Sequence, residues 1–366
     1  MELTTTAYAT AQRPAATLTF RPITADAIPR IAPFLAQAPV PICDYTVGNL
    51  LIWQPWYRYQ YAIAQSTLFI KALSLTTPPQ TAFLPPVGAL PLSASLPMLQ
   101  RYCHSRSIPL LLTAVPEPVI PDILAAAPGT IPEPLPDWAD YLYDIHTLAT
   151  FTGHAMNKKR NHLNRFQALY PQAVLQPLTP ALIPEAVSFL HTLANSDAPP
   201  SIDPCRDARP ERPPKTPETT PCRDARPERP LITPELHADP FADHTDIDTI
   251  AEMGAFEAQQ TIDTIRNWGN LPLFGAVLRT APDGPIVALT AAEAIGDTLH
   301  THIEKIDHTV PGAGPAITCL FARHALALHP GLHYSNRQED CGDPGLRHAK
   351  QSLHPLTLLP KYNLGF

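Results

Sequence analysis

Toward the C-terminus, apolar and polar residues alternate: Leu299, Thr301 and Ile303 are interleaved with His300, His302 and Glu304. A period of two predicts a strand with one apolar face and one titratable face. Pro311, Gly312 and Gly314 mark a loop after it. Ile317, Leu320, Phe321, Ala325 and Leu328 then recur at roughly helical spacing from Ala316 to Leu328. Gly331 stands where a C-terminal glycine would end that helix. Leu332 to Arg337 reads as a short strand. The unit is strand, glycine loop, helix, strand, and the free N–H groups of such a helix start favour an anion.

Upstream, Leu18-Thr-Phe20 is strand-like, and Thr24 is placed to cap a helix through Leu35 that Pro29 and Pro33 limit. Tyr57, Tyr59 and Tyr61 have period two. They read either as an aromatic platform for bases or as one packed face of a strand. Leu96 to Ser105 predicts a helix with Pro97 in its first turn. From Asn157 onward, Leu163 and Phe166, with Leu169 or Tyr170, form an apolar helical stripe. Lys158, Lys159, Arg160, His162 and Arg165 occupy its other faces, so the helix carries either a local anion site or a solvated basic face.

Length and composition narrow the picture. A chain of 366 residues suggests two domains of ordinary size. Its 46 prolines are more than twice the usual share of ~5%. They crowd between Pro199 and Pro240, where Pro204 to Pro213 recurs as Pro221 to Pro230. Ser201 to Pro230 lacks aromatics, which predicts a disordered, polyproline-like insert over about 196–234. The net charge of −7 excludes global attraction to nucleic acid or anionic lipid, so any phosphate-binding surface is local. The six cysteines show no zinc-ligand spacing, and reduced thiols in a cytoplasmic protein are the simplest account. Neither a signal peptide nor a transmembrane run is expected.

The strand–glycine loop–helix unit resembles the second half of an acyl-CoA N-acyltransferase (GNAT) fold. In that family the loop holds the CoA pyrophosphate. Gly312 and Gly314 match it, while Thr309 stands where a basic or amide residue is usual. Nearly the whole chain outside the insert resembles the family built on the C-terminal domain of phosphatidylglycerol lysyltransferases. The matching residues are Cys43-Asp-Tyr45, Asn49-Leu50, Trp53, Asp140-Tyr141 and Tyr143. Gly153, Lys158 to His162 and Phe166 follow. The last matches are His300 to Lys305, Asn336 to Asp340, Gly345 to Arg347, Lys350, Ser352, Pro355, Lys361 and Tyr362.

The resemblance implies an α/β fold of two GNAT-like domains side by side, 1–136 and 137–366. It implies acyl transfer, with an aminoacyl-tRNA as donor and an amine or hydroxyl, including a phospholipid headgroup, as acceptor. A CoA-dependent N-acyltransferase using acetyl-CoA or another acyl-CoA is the alternative, and a catalytically silent binding module is a third.

Expected catalytic residues are Glu304, Lys305, Asn336, Arg347 and Lys361. Glu304 is the candidate general base. Glu304, Asn336, Arg347 and Lys361 are expected to converge on one cleft near Gly312 and Gly314. Substrate or phosphate contacts are expected from Lys158, Lys159, Arg160, Asn161, Gly312, Gly314, Arg337, Asp340, Lys350 and Tyr362. The titratable face of His300, His302 and Glu304 also has a metal-binding reading and a structural one, and no metal is expected. Asp340, Arg347 and Lys350 fit either an ion-pair network or phosphate binding.

Overall fold

The two strands expected near the C-terminus run over Thr298–Ile306 and Tyr334–Asn336. They pair in parallel over only three residues, from Thr298 opposite Tyr334 to His300 opposite Asn336. The longer strand continues to Ile306 on its other neighbour, Ile286–Ile295. The shared edge therefore opens after His300.

The computed structural model describes residues 17–75, 78–195 and 250–366. The expected insert lies outside the described residues. All the described residues belong to one compact unit. Among them the strands form an eight-stranded and a seven-stranded sheet. The first sheet runs Arg21–Pro22, Gln60–Ala64, Thr67–Leu73, Thr81–Phe83, Leu111–Pro116, Lys361–Gly365, Pro132–Pro134, with Val87–Gly88 beside Thr67–Leu73. The second runs Thr357–Leu359, Asp140–Asp144, Tyr334–Asn336, Thr298–Ile306, Ile286–Ile295, Phe274–Arg279, Val174–Pro177. The last strand, Lys361–Gly365, thus leaves the second half of the chain and sits between two strands of the first.

Both sheets are covered on both faces, so a strand such as Thr67–Leu73 is buried at every position, Thr67 and Lys71 included. In that strand Phe69 meets Phe83, Leu112, Leu364 and the helix Leu92–His104. Leu68 and Ile70 face the opposite core with Ile31 and Leu35 of the helix Ile28–Leu35. In the second sheet one core joins Leu299 to Phe166 and Ile317, from the helices Asn157–Leu169 and Ala313–Leu328. The other joins Ile303 to Leu190 and Ile265, from Ile183–Asn195 and Ile250–Arg266.

Those two assignments correct the expected alternation. Ile303 pairs with Ala291 and Thr301 with Ala292, so His302 has no residue opposite it. This one-residue bulge turns the strand over. Leu299 and Ile303 consequently pack in opposite cores. His300 and His302 likewise do not share a face with Glu304, and the three cannot meet at one metal ion.

Other elements shift in detail. Tyr57 ends a short helix, Gln54–Tyr57, Arg58 is left-handed with φ 51°, and the strand starts at Gln60. Tyr57, Tyr59 and Tyr61 still share one core, so they form a packed face and offer no platform. The helix expected at 96–105 starts at Leu92, which puts Pro97 in its interior. Thr24 precedes a 3-10 turn, Ala25–Ala27, and makes no side-chain cap bond to it. The helix Ala313–Leu328 ends with His329 as its cap, so Gly331 lies beyond it.

Leu364 is fully buried on the returning strand. Leu364→Ala is expected to lower unfolding free energy by about 2–5 kcal/mol. A denaturant midpoint matching wild type would show that the strand's packing contributes little.

Candidate active site

The opened edge of Thr298–Ile306 has polar chemistry on both faces. On the face of the helix Ala313–Leu328, Glu304 Oε1 lies 2.5 Å from Arg337 Nη2 and accepts a weaker 3.4 Å bond from the Thr318 hydroxyl. Burial disfavours the Arg337 charge, but Glu304 more than restores it, and the guanidinium is held above its ordinary value. Lys159, on Asn157–Leu169, feels both groups. Its ammonium has no hydrogen-bond or ion-pair partner among the described residues. Burial, then repulsion from Arg337 and Lys158, lowers its pKa. Lys158 and Asn161 are exposed on the same helix. Arg160 is not available to a substrate, because its guanidinium bonds Asn157 and the carbonyls of Phe151 and Gly153.

The glycine loop lies against this helix. Gly312 has φ +81°, and a side-chain carbon there would sit 2.4 Å from the His162 carbonyl oxygen. Glycine is required both by conformation and by space. Gly314 is less constrained, with only Ile306 Cδ1 in range at 3.4 Å. Lys305 points elsewhere and pairs with Glu257.

On the other face a buried network joins the two sheets. Lys361 Nζ lies 2.6 Å from Asp44 Oδ2, 2.7 Å from Asp140 Oδ1, 3.7 Å from Glu339 Oε2 and 3.4 Å from Cys43 Sγ. Asn336 Nδ2 donates to Asp140 Oδ2 and to the Pro41 carbonyl, both at 2.7 Å. The Cys43 amide donates to Asp140 at 2.6 Å, and its thiol to Glu339 at 3.1 Å. Cys43, Asp140 and Glu339 present donor atoms within 4.8 Å of one another, a spacing that could hold a metal. The ammonium of Lys361 already serves them as the resident cation.

Burial is the largest single influence on each pKa here, though not always the one that sets its direction. It pushes the Cys43 thiol well up, with Asp140 and Glu339 adding to the effect. It also raises Asp44 and Glu339, against the pull of Lys361. At Asp140 the same burial is outweighed by Lys361, Asn336 and the Cys43 amide, so that carboxyl lies below its ordinary value. Burial opposes the Lys361 charge, yet Asp140 and Asp44 hold its pKa well above the ordinary one.

A third set anchors the helix Val47–Ile52. Glu293 accepts the amides of Val47 and Gly48, at 3.3 and 2.7 Å, which places a carboxylate at the helix start. His302 Nε2 lies 2.8 Å from Glu293, and its Nδ1 lies 2.8 Å from the Gln338 amide. A β-carbon on Gly48 would fall 2.5 Å from that imidazole, so only glycine lets the helix approach.

The segment 336–342 links the three sets, and Gln338, Cys341 and Gly342 in it have positive φ. Lys350 braces it by donating to the carbonyls of Arg337 and Glu339. Arg347 bridges Asp340 and Asp137, and Asp340 also accepts the Tyr141 hydroxyl. Of the four residues expected to converge, Asn336 and Lys361 share one network. Glu304 is on the opposite face of the sheet, and Arg347 is committed to Asp340 and Asp137. Tyr362 is at the rim, 3.4 Å from Glu117. Asp44, Asp140, Glu293 and Glu339 were not among the expected site residues. The signal for Asp44 was an isolated acid inside an apolar run, whereas Asp140 stands between Asp137 and Asp144 and carries no such mark.

Removing the Lys361 charge leaves buried carboxylates uncompensated. Lys361→Met is expected to cost about 3–5 kcal/mol at neutral pH. The raised carboxyls of Glu339 and Asp44 keep protons on folding that the unfolded chain releases. Their contribution to stability is present at low pH and falls as pH rises above the ordinary carboxylate range. Asp140 acts oppositely, losing its contribution as pH falls through its depressed folded value. Glu339→Gln should therefore gain stability relative to wild type on going from pH 4 to pH 7. Parallel denaturant curves for the two proteins across that range would contradict this proton uptake.

The family model of the phosphatidylglycerol lysyltransferase C-terminal region matches residues 36–192. No curated protein matches the sequence. A crystal structure of a conserved protein of unknown function from Bacteroides thetaiotaomicron is 26% identical, with a TM-score of 0.74 over 96% of this chain and 100% of that one. The C-terminal domain of a putative lysylphosphatidylglycerol synthetase from Agrobacterium fabrum is 12% identical, with a TM-score of 0.56 over 93% and 92%. L-PGS from Bacillus licheniformis is also 12% identical, with a TM-score of 0.50 over 84% and 83%. Identities of 12% speak to the fold alone. The chain shares the fold of that Agrobacterium fabrum C-terminal domain, and its residues 36–192 match the family model of the phosphatidylglycerol lysyltransferase C-terminal region.

Proposed function

We propose that the protein transfers an aminoacyl group from a charged tRNA to an amine or hydroxyl acceptor, with a phospholipid headgroup as one acceptor class. The observation that carries this reading is the cation set Lys158, Lys159 and Arg337 beside the opened strand edge. Among the described residues it faces a single carboxylate, Glu304, and Lys159 has no counter-ion of its own. A partly buried ammonium in that state favours an anionic ligand such as a phosphate.

The reaction asks for modest chemistry. The ester of the donor is already activated, so the enzyme aligns it, accepts one proton and stabilises an oxyanion. In this reading Glu304 takes the proton of the attacking amine or hydroxyl as the new acyl bond forms, and Arg337, held against it, stabilises the developing charge. The ester C–O bond then breaks, with the proton passing to the departing ribose oxygen of the tRNA. No helix among the described residues is long and apolar enough to cross a membrane. A lipid acceptor would be met by its headgroup.

A CoA-dependent acyl transfer is the second reading. Its support is Gly312 in the left-handed conformation at the start of the 16-residue helix Ala313–Leu328, where free N–H groups favour pyrophosphate.

Retention of labelled aminoacyl-tRNA and of labelled acetyl-CoA on the purified chain separates the two readings. Retention of aminoacyl-tRNA is expected, and Lys158→Ala with Lys159→Ala should flatten its salt dependence by roughly two phosphate contacts. Glu304→Gln should lower turnover by ~10²–10⁴-fold while binding persists. Retention of acetyl-CoA alone would replace the tRNA reading with the second one.

A further inference from the structure

A cavity of about 220 Å³ lies between the chain at 35–42 and the turn at 295–298, on the opposite side of His300 in sequence from the opened edge. Leu35, Val40, Ile42 and Ile295 give it an apolar wall, and Asp297 is exposed at its margin. Thr298 and His300 are buried polar residues of its lining, the Thr298 hydroxyl being already bonded to Asp297. His300 is 2% exposed, and its Nδ1 has no hydrogen-bond partner among the described residues. A buried polar atom in that state is rare and costly.

The neighbours explain why the ring stays unpaired. His300 is in register with Asn336, but that amide gives its bonds to Asp140 and to the carbonyl of Pro41, another cavity residue. His302, on the same strand, is engaged by Glu293 and Gln338. Burial, reinforced by His302, brings the His300 pKa down to about 4, so the ring is neutral near pH 7. A neutral imidazole offers one donor and one acceptor.

We propose that this cavity binds a small uncharged molecule with an apolar body and one hydroxyl or amide group. A hydroxyl or amide both donates and accepts, so it can pair with either tautomer of His300. An anion would approach Asp297, and a cation would give up its hydration for a neutral ring. The volume suits one ring with a short substituent, given that an apolar cavity of about 150 Å³ accepts benzene. A neighbouring cavity of about 260 Å³, which shares Pro39 and Tyr45, has no unpartnered buried polar atom in its lining.

The test uses the full chain with benzyl alcohol, toluene and benzylamine. Thermal shift gives affinity, and the side-chain resonances of ¹⁵N-labelled His300 report on the site. Benzyl alcohol should raise Tm and move the His300 resonances, with toluene binding roughly five- to tenfold more weakly for want of the hydrogen bond. His300→Phe should bind the two alike, and Ala38→Trp, which fills the cavity, should bind neither. If His300→Phe does not fold, the wild-type resonances and Ala38→Trp still decide. Unmoved His300 resonances, equal affinity of wild type for toluene, or tighter binding of benzylamine would each overturn the proposal.

Discussion

Much of this structure depends on one ammonium group. Lys361 is the first residue of the strand that returns to the first sheet, and it meets Asp44 from the first half and Asp140 from the first strand of the second. Neither carboxylate could be buried without it. The pairing gives little net stability, because each ion loses its hydration. It does specify position: a slip of the last strand by one residue would point the ammonium away from both acids. Asn336 and the Cys43 amide then complete Asp140, which ties the site-bearing segment 336–342 to the same point.

The bulge at His302 is the second organising feature. Without it, the titratable residues of Thr298–Ile306 would share one face and compete for the same partners. With it, His300 and His302 face the first half of the chain, while Glu304 faces the glycine loop and the basic helix. One strand thereby supplies a structural anchor on one side and a candidate reaction site on the other. The early end of the ladder with Tyr334–Asn336 opens the edge between them.

The helices and strands around the glycine loop were legible because each announced itself locally. Helical spacing predicted most of Ala313–Leu328, and the stripe of Leu163 and Phe166 predicted Asn157–Leu169. The bulge was not legible, since nothing in Thr301-His302-Ile303 departs from alternation. It is set by contacts with Gly48, Glu293 and Gln338, far off in sequence. The buried acids were missed for a similar reason. Asp44 and Asp140 look solvent-facing until the last strand brings Lys361 between them. Tyr57, Tyr59 and Tyr61 show the reverse case: their spacing suggested a strand, a helix end supplies part of it, and the rings reach the same core by either route.

The path of the last strand bears on how the protein is made. Lys361–Gly365 separates Leu111–Pro116 from Pro132–Pro134 in the finished sheet. During synthesis those two strands emerge long before the one that joins them, and everything from 140 to 359 comes between. Until it arrives, each has an unpaired edge open to other chains. The first half of the protein therefore cannot mature as an independent unit ahead of the second. Its closure is a late, long-range event, and the nascent chain would be most exposed to mispairing and to chaperones in that interval.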